Sequence, residues 1–442
     1  MLVCGIDIGT TNLKVALFDE CNHLVWLRSE PTPRARDGFG LVTDAADLVR
    51  LIEQMVIGGW KEVGQARPIV AISSTGVGED GLYVDAALDP LGPAIPWFDP
   101  RATSDANELA SGTAATPRAG IAVDPTRSAA KWLWSARNLP EQVAAASCWL
   151  SLTDYPLVKW SGTPFISDTL AARTACFDPV ERDWIASLMI ASRAPALPRV
   201  VSAGTIIGMV ASPELINSGA ASSRTLLVAA GHDHPVAAHA IHQFAADARV
   251  DSLGTANVIY GETASVSLGA FDSTVAFLPS IEGEGTFACL GVFEFTAAVN
   301  RFPGGMEAIR RAMALESLPG TPGDGSEDVS SERRLLEWAT MNARHILERL
   351  NAYGVPQGPI YATGGWSRSN ALLELRASMF GQPVHAPAEK ELSVLGAALF
   401  AASAAGLGTS IESPVTVVQP NKAWQPRYAE AFERFKARTN QK

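Results

Sequence analysis

A strand–turn–strand pattern occurs twice in this chain, once near the start of each half. The first copy spans residues 7–12 (DIGTTN), between the apolar runs at residues 2–6 and 13–18. The second copy spans residues 249–257 and is followed by the apolar run at residues 258–260. Short runs rich in Val, Ile and Leu around a Gly-Thr turn predict a β-hairpin. Two similar hairpins, each opening one half of the chain, predict a duplicated architecture of two lobes.

The two turns carry groups that suit phosphate oxygens. A tight turn of this kind directs backbone N–H groups and hydroxyls into one small space, here with Thr10 and Thr11 in the first copy and Gly254 and Thr255 in the second. One such turn on each lobe would clamp a nucleotide. Asp7 ends the first strand and could hold Mg²⁺ through water, because a hard cation prefers oxygen ligands. The hairpin alone leaves an alternative open, which is an ordinary turn whose threonines only satisfy the backbone.

Length and composition bound the class of protein. A chain of 442 residues exceeds one typical core and predicts two domains of roughly 200 residues each. The net charge of −11 argues against binding to nucleic acid. The five scattered cysteines predict reduced thiols, and no run of 18 apolar residues or signal peptide is present. We therefore expect a soluble, cytoplasmic protein that does not bind membranes.

A match to the dinucleotide-binding pattern GxGxxG occurs at residues 76–81. That pattern requires a helix directly after it. Residues 82–85 are instead typical of a strand, and residues 89–92 are typical of a turn. We therefore predict that this segment is not a dinucleotide site.

Asp233 is the strongest candidate for a catalytic residue. It lies between His232 and His234, after a predicted strand at residues 226–230 and before a helix predicted to begin at Pro235. The helix N-terminus would keep the carboxylate ionised at neutral pH. Such a carboxylate could take the proton from a substrate hydroxyl as its oxygen attacks a γ-phosphate. The alternative is that Asp233 only caps the helix.

The histidines of this region suggest a rival interpretation. His232, His234, His239 and His242 are close in sequence, and a hydrolase could use such a set to bind zinc or iron. Against this, the last two lie more than one helical turn from the first two. The sequence also contains neither a GxxxxGK[ST] loop nor a GxSxG motif.

Two other segments carry candidate ligand contacts. Residues 94–101 combine Trp97 with polar side chains, a pairing typical of sugar sites, although a Trp in the core is the alternative. Gly364 and Gly365 precede a predicted helix, so a ligand could lie against bare backbone there. Residues 320–331 are predicted to be a flexible loop, and residues near 167–168 an inserted segment on the substrate side.

In order and spacing, these motifs resemble the FGGY family of carbohydrate kinases, including xylulose and glycerol kinases. The residues that carry the resemblance are 7–11, 231–234, 252–255, 364–370, 128–134 and 391–398. The resemblance implies an α/β fold of two ribonuclease H-like domains, as in actin, hexokinase and heat-shock chaperones, around a central cleft. Residues 1–246 would form the sugar-binding domain and residues 247–442 the ATP-binding domain.

The resemblance also implies roles for individual residues. Asp233 corresponds to the catalytic base and Asp7 to the acid on the magnesium side. Positions that correspond to nucleotide contacts are Thr10, Thr11, Gly254, Thr255, Gly364, Gly365 and Asn370. Positions that correspond to substrate contacts are Glu79, Asp80, Trp97 and His234.

Departures from the family pattern limit the substrate assignment. Glycerol kinases carry Arg-Glu at Gly78-Glu79 and a Gln at His234, and xylulose kinases carry Met-His at Glu79-Asp80. We expect an ATP- and Mg²⁺-dependent kinase for a primary hydroxyl of a ketopentose or ketohexose. The alternatives are a polyol kinase of the glycerol or erythritol type and a non-catalytic sugar- or nucleotide-binding protein. Partners other than these small molecules are not expected, with a homodimer left open.

Overall fold

The computed structural model describes residues 1–65, 67–112, 117–254, 256–266, 274–283, 285–302, 304–316, 318 and 331–439. The described strands are β1 Leu2–Ile8, β2 Asn12–Asp19, β3 Leu24–Pro31, β4 Ala35–Arg36, β5 Leu41–Val42, β6 Ile69–Gly76, β7 Gly81–Val84, β8 Cys148–Ser151, β9 Phe165–Ser167, β10 Phe177–Asp178, β11 Asp183–Trp184, β12 Arg199–Val201, β13 Ile206–Met209, β14 Leu226–His232, β15 Arg249–Leu253, β16 Asn257–Thr263, β17 Val275–Pro279, β18 Phe287–Phe293, β19 Ile360–Thr363, β20 Val384–Pro387 and β21 Val415–Val418.

The described helices are α1 Ala45–Glu62, α2 Thr103–Ser111, α3 Ser128–Asn138, α4 Pro140–Ala145, α5 Tyr155–Ser161, α6 Asp168–Arg173, α7 Ala186–Ala191, α8 Pro213–Ser218, α9 Asp233–His242, α10 Phe295–Asn300, α11 Gly305–Met313, α12 Ser331–Ala352, α13 Asn370–Phe380, α14 Leu392–Ala404 and α15 Gln425–Thr439. Short 3₁₀ turns lie at Pro100–Ala102, Pro117–Ala119 and Gly365–Arg368. Among the described residues, no helix is long and apolar enough to cross a membrane. All five cysteines are free thiols.

The first half of the chain builds a six-stranded sheet in the order β13-β14-β6-β1-β2-β3. β1, β2 and β3 form the antiparallel meander that the first hairpin predicts. β6 and β14 run parallel to β1 on its other side. Every residue of β1 is buried, as expected for a central strand covered on both faces.

The second half repeats this arrangement in a seven-stranded sheet in the order β17-β18-β16-β15-β19-β20-β21. β15 and β16 form the second hairpin, and β19 runs parallel to β15. β15 therefore has the place in the second sheet that β1 has in the first. The predicted duplication is confirmed at the level of strand order.

Helix α14, from the second half of the chain, packs on the first sheet. It is built of small residues and packs against β1, β6, β14 and α9. A Cβ on Gly396 would lie 2.0 Å from the carbonyl oxygen of Val236 in α9. A Cβ on Gly5 in β1 would lie 2.1 Å from the carbonyl oxygen of Val394 in α14. Glycine is thus required on both sides for this close approach. The boundary between residues 246 and 247 stays a prediction, and α14 packs on the first sheet although it lies beyond that boundary.

Local expectations are confirmed with small shifts. Residues 76–81 run into strand β7 and not into a helix, which confirms that this GxGxxG match is no dinucleotide fingerprint. Helix α9 begins at Asp233, two residues before the predicted start at Pro235, and its N-cap is His232. Thr255 and residues 320–330 lie outside the described residues, and Ser331 begins α12.

Candidate active site

The carboxyl ends of three parallel strands bring the candidate residues together. The register places Ile8 of β1 opposite Gly76 of β6, and Gly76 opposite His232 of β14. Asp7 therefore directly precedes the aligned residue of β1, and Asp233 directly follows the aligned residue of β14. The segment with Glu79 and Asp80 leaves β6 at the same edge. Ligands of parallel α/β sheets commonly bind at such an edge.

Asp7 is a buried carboxylate at this edge. Its Oδ2 accepts a hydrogen bond of 2.6 Å from the Ser393 hydroxyl at the start of α14. Its Oδ1 is buried and has no hydrogen-bond partner within the described chain. Burial, and then the nearby Asp233 carboxylate, raises the pKa of Asp7 to about 6. Lys14 lies opposite Asp7 on β2 and pairs with Glu391 at 2.6 Å.

Asp233 stands beside two histidines. Its Oδ1 lies 3.4 Å from Nε2 of His232 and 3.8 Å from Nε2 of His234. Burial raises the pKa of Asp233 to about 7, although the backbone N–H of His234 opposes this shift. The expectation that the helix N-terminus keeps this carboxylate ionised at neutral pH is therefore wrong, because burial outweighs it. Burial therefore brings the pKa of Asp233 into the range of neutral pH.

The two histidines are held neutral. Burial, and then the Arg173 guanidinium, lowers the pKa of His234 to about 4. The same two causes lower the pKa of His232 well below its ordinary value. His239 and His242 face elsewhere, because their Nδ1 atoms each lie 3.1 Å from Oε1 of Glu282. The four histidines of the rival metal site thus divide into two separate groups.

Glu79 is held by two arginines. Its Oε1 accepts hydrogen bonds from Nη1 of Arg127 at 2.5 Å and from Nε of Arg173 at 2.8 Å, and Nη2 of Arg173 donates to the same oxygen. Burial would raise the pKa of Glu79, but the Arg173 and Arg127 charges lower it below its ordinary value. Glu79 is therefore ionised at neutral pH and fixed in orientation.

Asp80 and Trp97 link the sugar side to the first turn. Oδ1 of Asp80 accepts the backbone N–H of Trp97 at 2.6 Å, and the Trp97 indole N–H donates to the Thr10 hydroxyl at 2.9 Å. Arg34 Nη2 donates to the Thr10 carbonyl at 2.8 Å. Burial raises the pKa of Asp80 to about 6. Lys131 anchors the same segment, because its Nζ donates to the Pro96 carbonyl at 2.7 Å.

The second sheet brings its glycine turns together in the same way. The parallel register pairs Ser252 with Thr363, so Gly254 and Gly364 follow at one edge. Gly364 has a φ of 82°, and a Cβ there would lie 2.7 Å from the Leu253 carbonyl oxygen. Only glycine permits this contact.

Gly365 and Asn370, the other two positions predicted in this segment, follow Gly364 in the sequence. A Cβ on Gly365 would meet no atom of the described chain within 4 Å, so its backbone faces open space. Asn370 is the first residue of α13, with its side chain 3.5 Å from the Glu316 carbonyl oxygen.

Several buried polar atoms without a hydrogen-bond partner lie at the first edge. Within the described chain they include Oδ1 of Asp7, Oδ2 of Asp80, Nε of Arg127, Nη1 of Arg173, Nδ1 of His232 and Oδ1 of Asp233. Native structures leave few such atoms unpaired unless a ligand or ion completes them. These atoms mark the edge as a binding site for a polar ligand.

Sequence reasoning missed several of these residues. Ser393 and Glu391 lie in one of the motifs that carry the family resemblance, but nothing local shows that they reach Asp7 and Lys14. Arg34 and Arg173 come from segments without a motif. Their contacts depend on tertiary packing, and no spacing in the sequence indicates them.

The family models agree with this site. A model described as the FGGY family of carbohydrate kinases, N-terminal domain, matches residues 2–239, and the corresponding C-terminal domain model matches residues 292–405. The chain belongs to the FGGY family of carbohydrate kinases. It is therefore a kinase, a phosphotransferase with an alcohol group as acceptor. Kinases of the FGGY family use ATP, normally with a divalent metal ion.

Individual FGGY relatives are distant. The chain is 25% identical to a xylulose kinase of Streptomyces coelicolor, over 99% of this chain and 94% of the relative. It is 24% identical to a glycerol kinase of Bordetella parapertussis, over 96% of this chain and 93% of the relative. These two names agree on a sugar or polyol kinase and differ in the substrate.

Solved structures of FGGY kinases confirm the predicted fold. A xylulose kinase from Brucella ovis superimposes with a TM-score of 0.85 at 21% identity, covering 99% of this chain and 98% of that one. A glycerol kinase from Plasmodium falciparum with ADP gives a TM-score of 0.81 at 16% identity, with the same coverage of both chains. The fold is thus the two-domain α/β fold of the actin and hexokinase type.

Proposed function

We propose that this kinase transfers the γ-phosphate of ATP to a primary hydroxyl of a small sugar, with a ketopentose or ketohexose as the first choice. The observation that carries the proposal is a pair of carboxylates at the carboxyl ends of aligned strands. One is Asp233, whose pKa is raised to about 7, and the other is Asp7, whose Oδ1 has no hydrogen-bond partner in the described chain. A base with a pKa near the working pH is suited to proton transfer.

In the proposed reaction Asp233 takes the proton of the substrate hydroxyl. The hydroxyl oxygen forms a bond to the γ-phosphorus, and the bond from that phosphorus to the β–γ bridging oxygen breaks, which releases ADP. General-base catalysis contributes typically about 10²- to 10⁴-fold. Most of the remaining acceleration in such transfers comes from positioning and charge stabilisation.

The residues of the first edge fit a divalent cation on the phosphates. A carboxylate oxygen without a hydrogen-bond partner in the described chain, as Asp7 has, is a suitable oxygen donor for Mg²⁺. Bound there, the ion would neutralise charge on the phosphates. We assign the nucleotide contacts to Thr10, Thr11, Gly254, Thr255, Gly364, Gly365 and Asn370. Among these, bare glycine backbone at the second edge supports the assignment.

We assign the sugar contacts to Glu79, Asp80, Trp97 and His234. The fixed, ionised carboxylate of Glu79 can accept hydrogen bonds from substrate hydroxyls. A polyol substrate is the second candidate, because glycerol kinases are among the relatives over nearly the whole chain.

A coupled assay of ADP release over ketoses, aldoses and polyols tests the proposal. We expect turnover with at least one ketose or polyol, and Asp233→Asn should lose most of it while nucleotide binding stays nearly intact. Full turnover in Asp233→Asn would contradict the assigned base. If the whole panel is silent while nucleotide binding is intact, the chain is a binding protein without turnover.

A further inference from the structure

Gly78 provides space for an arginine from another part of the chain. A Cβ on Gly78 would lie 2.8 Å from Cγ and 3.2 Å from Nε of Arg173, and 3.1 Å from Cδ2 of His232. The backbone of Gly78 does not have a positive φ. A side chain at this position is therefore excluded by the Arg173 side chain and not by the backbone conformation.

Arg173 ends helix α6 and is 7% exposed. Nε and Nη2 both donate to Oε1 of Glu79. Nη1 is buried and has no acceptor among the described residues. A buried guanidinium nitrogen without an acceptor costs free energy, and an incoming oxygen would remove that cost.

Contacts place the guanidinium near the proposed base. A Cβ on Gly78 would lie 3.2 Å from Nε of Arg173 and 3.1 Å from Cδ2 of His232, and Nε2 of His232 lies 3.4 Å from Oδ1 of Asp233. In agreement with this position, the Arg173 charge lowers the pKa of His232, of Asp233 and of His234. Glu79, which binds the other side of the guanidinium, belongs to the proposed sugar contacts. The guanidinium thus binds a proposed sugar-binding carboxylate and lies near His232, the residue next to the proposed base.

We propose that Arg173 is a substrate-binding, specificity-determining residue, whose Nη1 donates to an oxygen of the sugar or polyol beside the hydroxyl that Asp233 deprotonates. This inference rests on the proposed function for the class of ligand. A guanidinium can only donate hydrogen bonds, so the substrate atom must be an acceptor, such as a hydroxyl or keto oxygen.

Arg127 provides the matched control. It donates to the same oxygen of Glu79, and its Nη2 pairs with Asp124 at 3.0 Å. Arg127→Met thus removes a contact that orients Glu79, together with the unpaired Nε of Arg127, but leaves the Nη1 donor of Arg173 in place. Arg173→Met removes both a contact to Glu79 and that donor.

The test measures dissociation constants without ATP or Mg²⁺. The ligands are a sugar or polyol of the panel that binds the wild type, whether or not ADP is released, and its monodeoxy analogues. The wild type should bind one deoxy analogue roughly 10- to 100-fold more weakly than the parent, the usual effect of losing a hydrogen bond to a charged group. Arg173→Met should raise the dissociation constant of the parent ligand by a similar factor. In this variant the parent and that deoxy analogue should bind equally tightly. Arg127→Met should keep the discrimination.

An effect through Glu79 alone would raise the dissociation constants of the parent and of all analogues by the same factor and so keep the discrimination. If Arg173→Met gives that result, the inference is wrong. A wild-type dissociation constant in that variant refutes it as well. Sugar discrimination through Arg173 without any ADP release would refute the proposed function and leave this inference standing. ADP release without discrimination through Arg173 would refute this inference and leave the proposed function standing. Absence of any binding by the wild type would overturn both.

A double variant protects the test against misfolding. Arg173→Ala vacates the space beside residue 78, so Gly78→Arg combined with it can deliver a guanidinium to the same place. We expect the double variant to regain discrimination at the same hydroxyl, while Gly78→Arg alone loses thermal stability through the clash. A folded double variant without discrimination would contradict the proposal.

Discussion

Replacing Ser393 by alanine should move the acidic limb of the pH–activity profile to higher pH. The Ser393 hydroxyl donates to Oδ2 of Asp7 at 2.6 Å. This hydrogen bond lowers the pKa of Asp7, which burial and the nearby Asp233 raise to about 6. Without the hydroxyl, the ionised form of Asp7 loses a hydrogen bond inside a buried site. The protonated form should then persist to higher pH.

The size of the shift follows from the energy of that hydrogen bond. A hydrogen bond to a charged group is worth roughly 1.5–3 kcal/mol, and one pKa unit corresponds to about 1.4 kcal/mol. The pKa of Asp7 should thus rise from about 6 to roughly 7–8. At pH 7 the ionised fraction falls from roughly nine-tenths to between about one-half and one-tenth. If Asp7 must be ionised to hold the metal ion, kcat/KM for ATP with Mg²⁺ falls roughly two- to tenfold.

The assay is kcat/KM for ATP with Mg²⁺ from acidic to alkaline pH, at saturating sugar. Ser393→Thr keeps the hydroxyl and is the control, so its profile should follow that of the wild type. Because Asp233 titrates in the same range, the apparent pKa of the acidic limb reflects both carboxyl groups. The prediction therefore concerns the difference in this apparent pKa between Ser393→Ala and the wild type. An unshifted limb in Ser393→Ala, or a loss of activity that high pH does not restore, would refute the reasoning.

Two glycine substitutions test the close contacts, and a third is their control. Gly364→Ala combines a positive φ with a Cβ 2.7 Å from the Leu253 carbonyl oxygen, so calorimetry should show ATP affinity reduced by about tenfold or more. Wild-type ATP affinity in that variant would contradict the assignment. Gly396→Ala places a Cβ 2.0 Å from the Val236 carbonyl oxygen, and denaturant unfolding should show a loss of about 1–3 kcal/mol. Gly58→Ala in α1 is the control, because a Cβ there meets nothing within 4 Å. It should raise the free energy of unfolding by about 0.5–1 kcal/mol, since alanine favours a helix more than glycine does. Equal effects of Gly396→Ala and Gly58→Ala would argue against the importance of the close contact.

Local signals predicted much of the fold. The hairpin at residues 7–12 and its counterpart were predictable because apolar runs and a Gly-Thr turn determine such a unit within a few residues. The start of α9 was misplaced because the first turn of a helix leaves its N–H groups without an intrahelical partner, so Pro235 is tolerated at the third position as well as at the first.

The ionisation of the site was not predictable in the same way. The position of Asp233 at a helix N-terminus indicated an ionised carboxylate, but the pKa depends on how much water the folded chain removes. Arg173 illustrates the same limit, because its relation to Gly78 joins segments almost a hundred residues apart. Sequence indicated that Gly78 departs from the family pattern, and only the packing shows which side chain occupies the space.

The two proposed catalytic carboxylates are positioned by a single turn of α14. Ser393, in the first turn of this helix, donates to Asp7, and Gly396, three residues later, lies against Val236 in the first turn of α9. Asp233 begins that same helix α9. The separation of the proposed base and the proposed acid on the metal side therefore depends on helix-to-helix and helix-to-strand contacts of α14. The segment that carries Trp97 adds a further constraint, because the Trp97 indole N–H donates to the Thr10 hydroxyl of the first turn. We conclude that a substitution at Trp97 affects the proposed nucleotide side as well as the proposed sugar side, whereas a substitution at Ser393 acts on Asp7 directly.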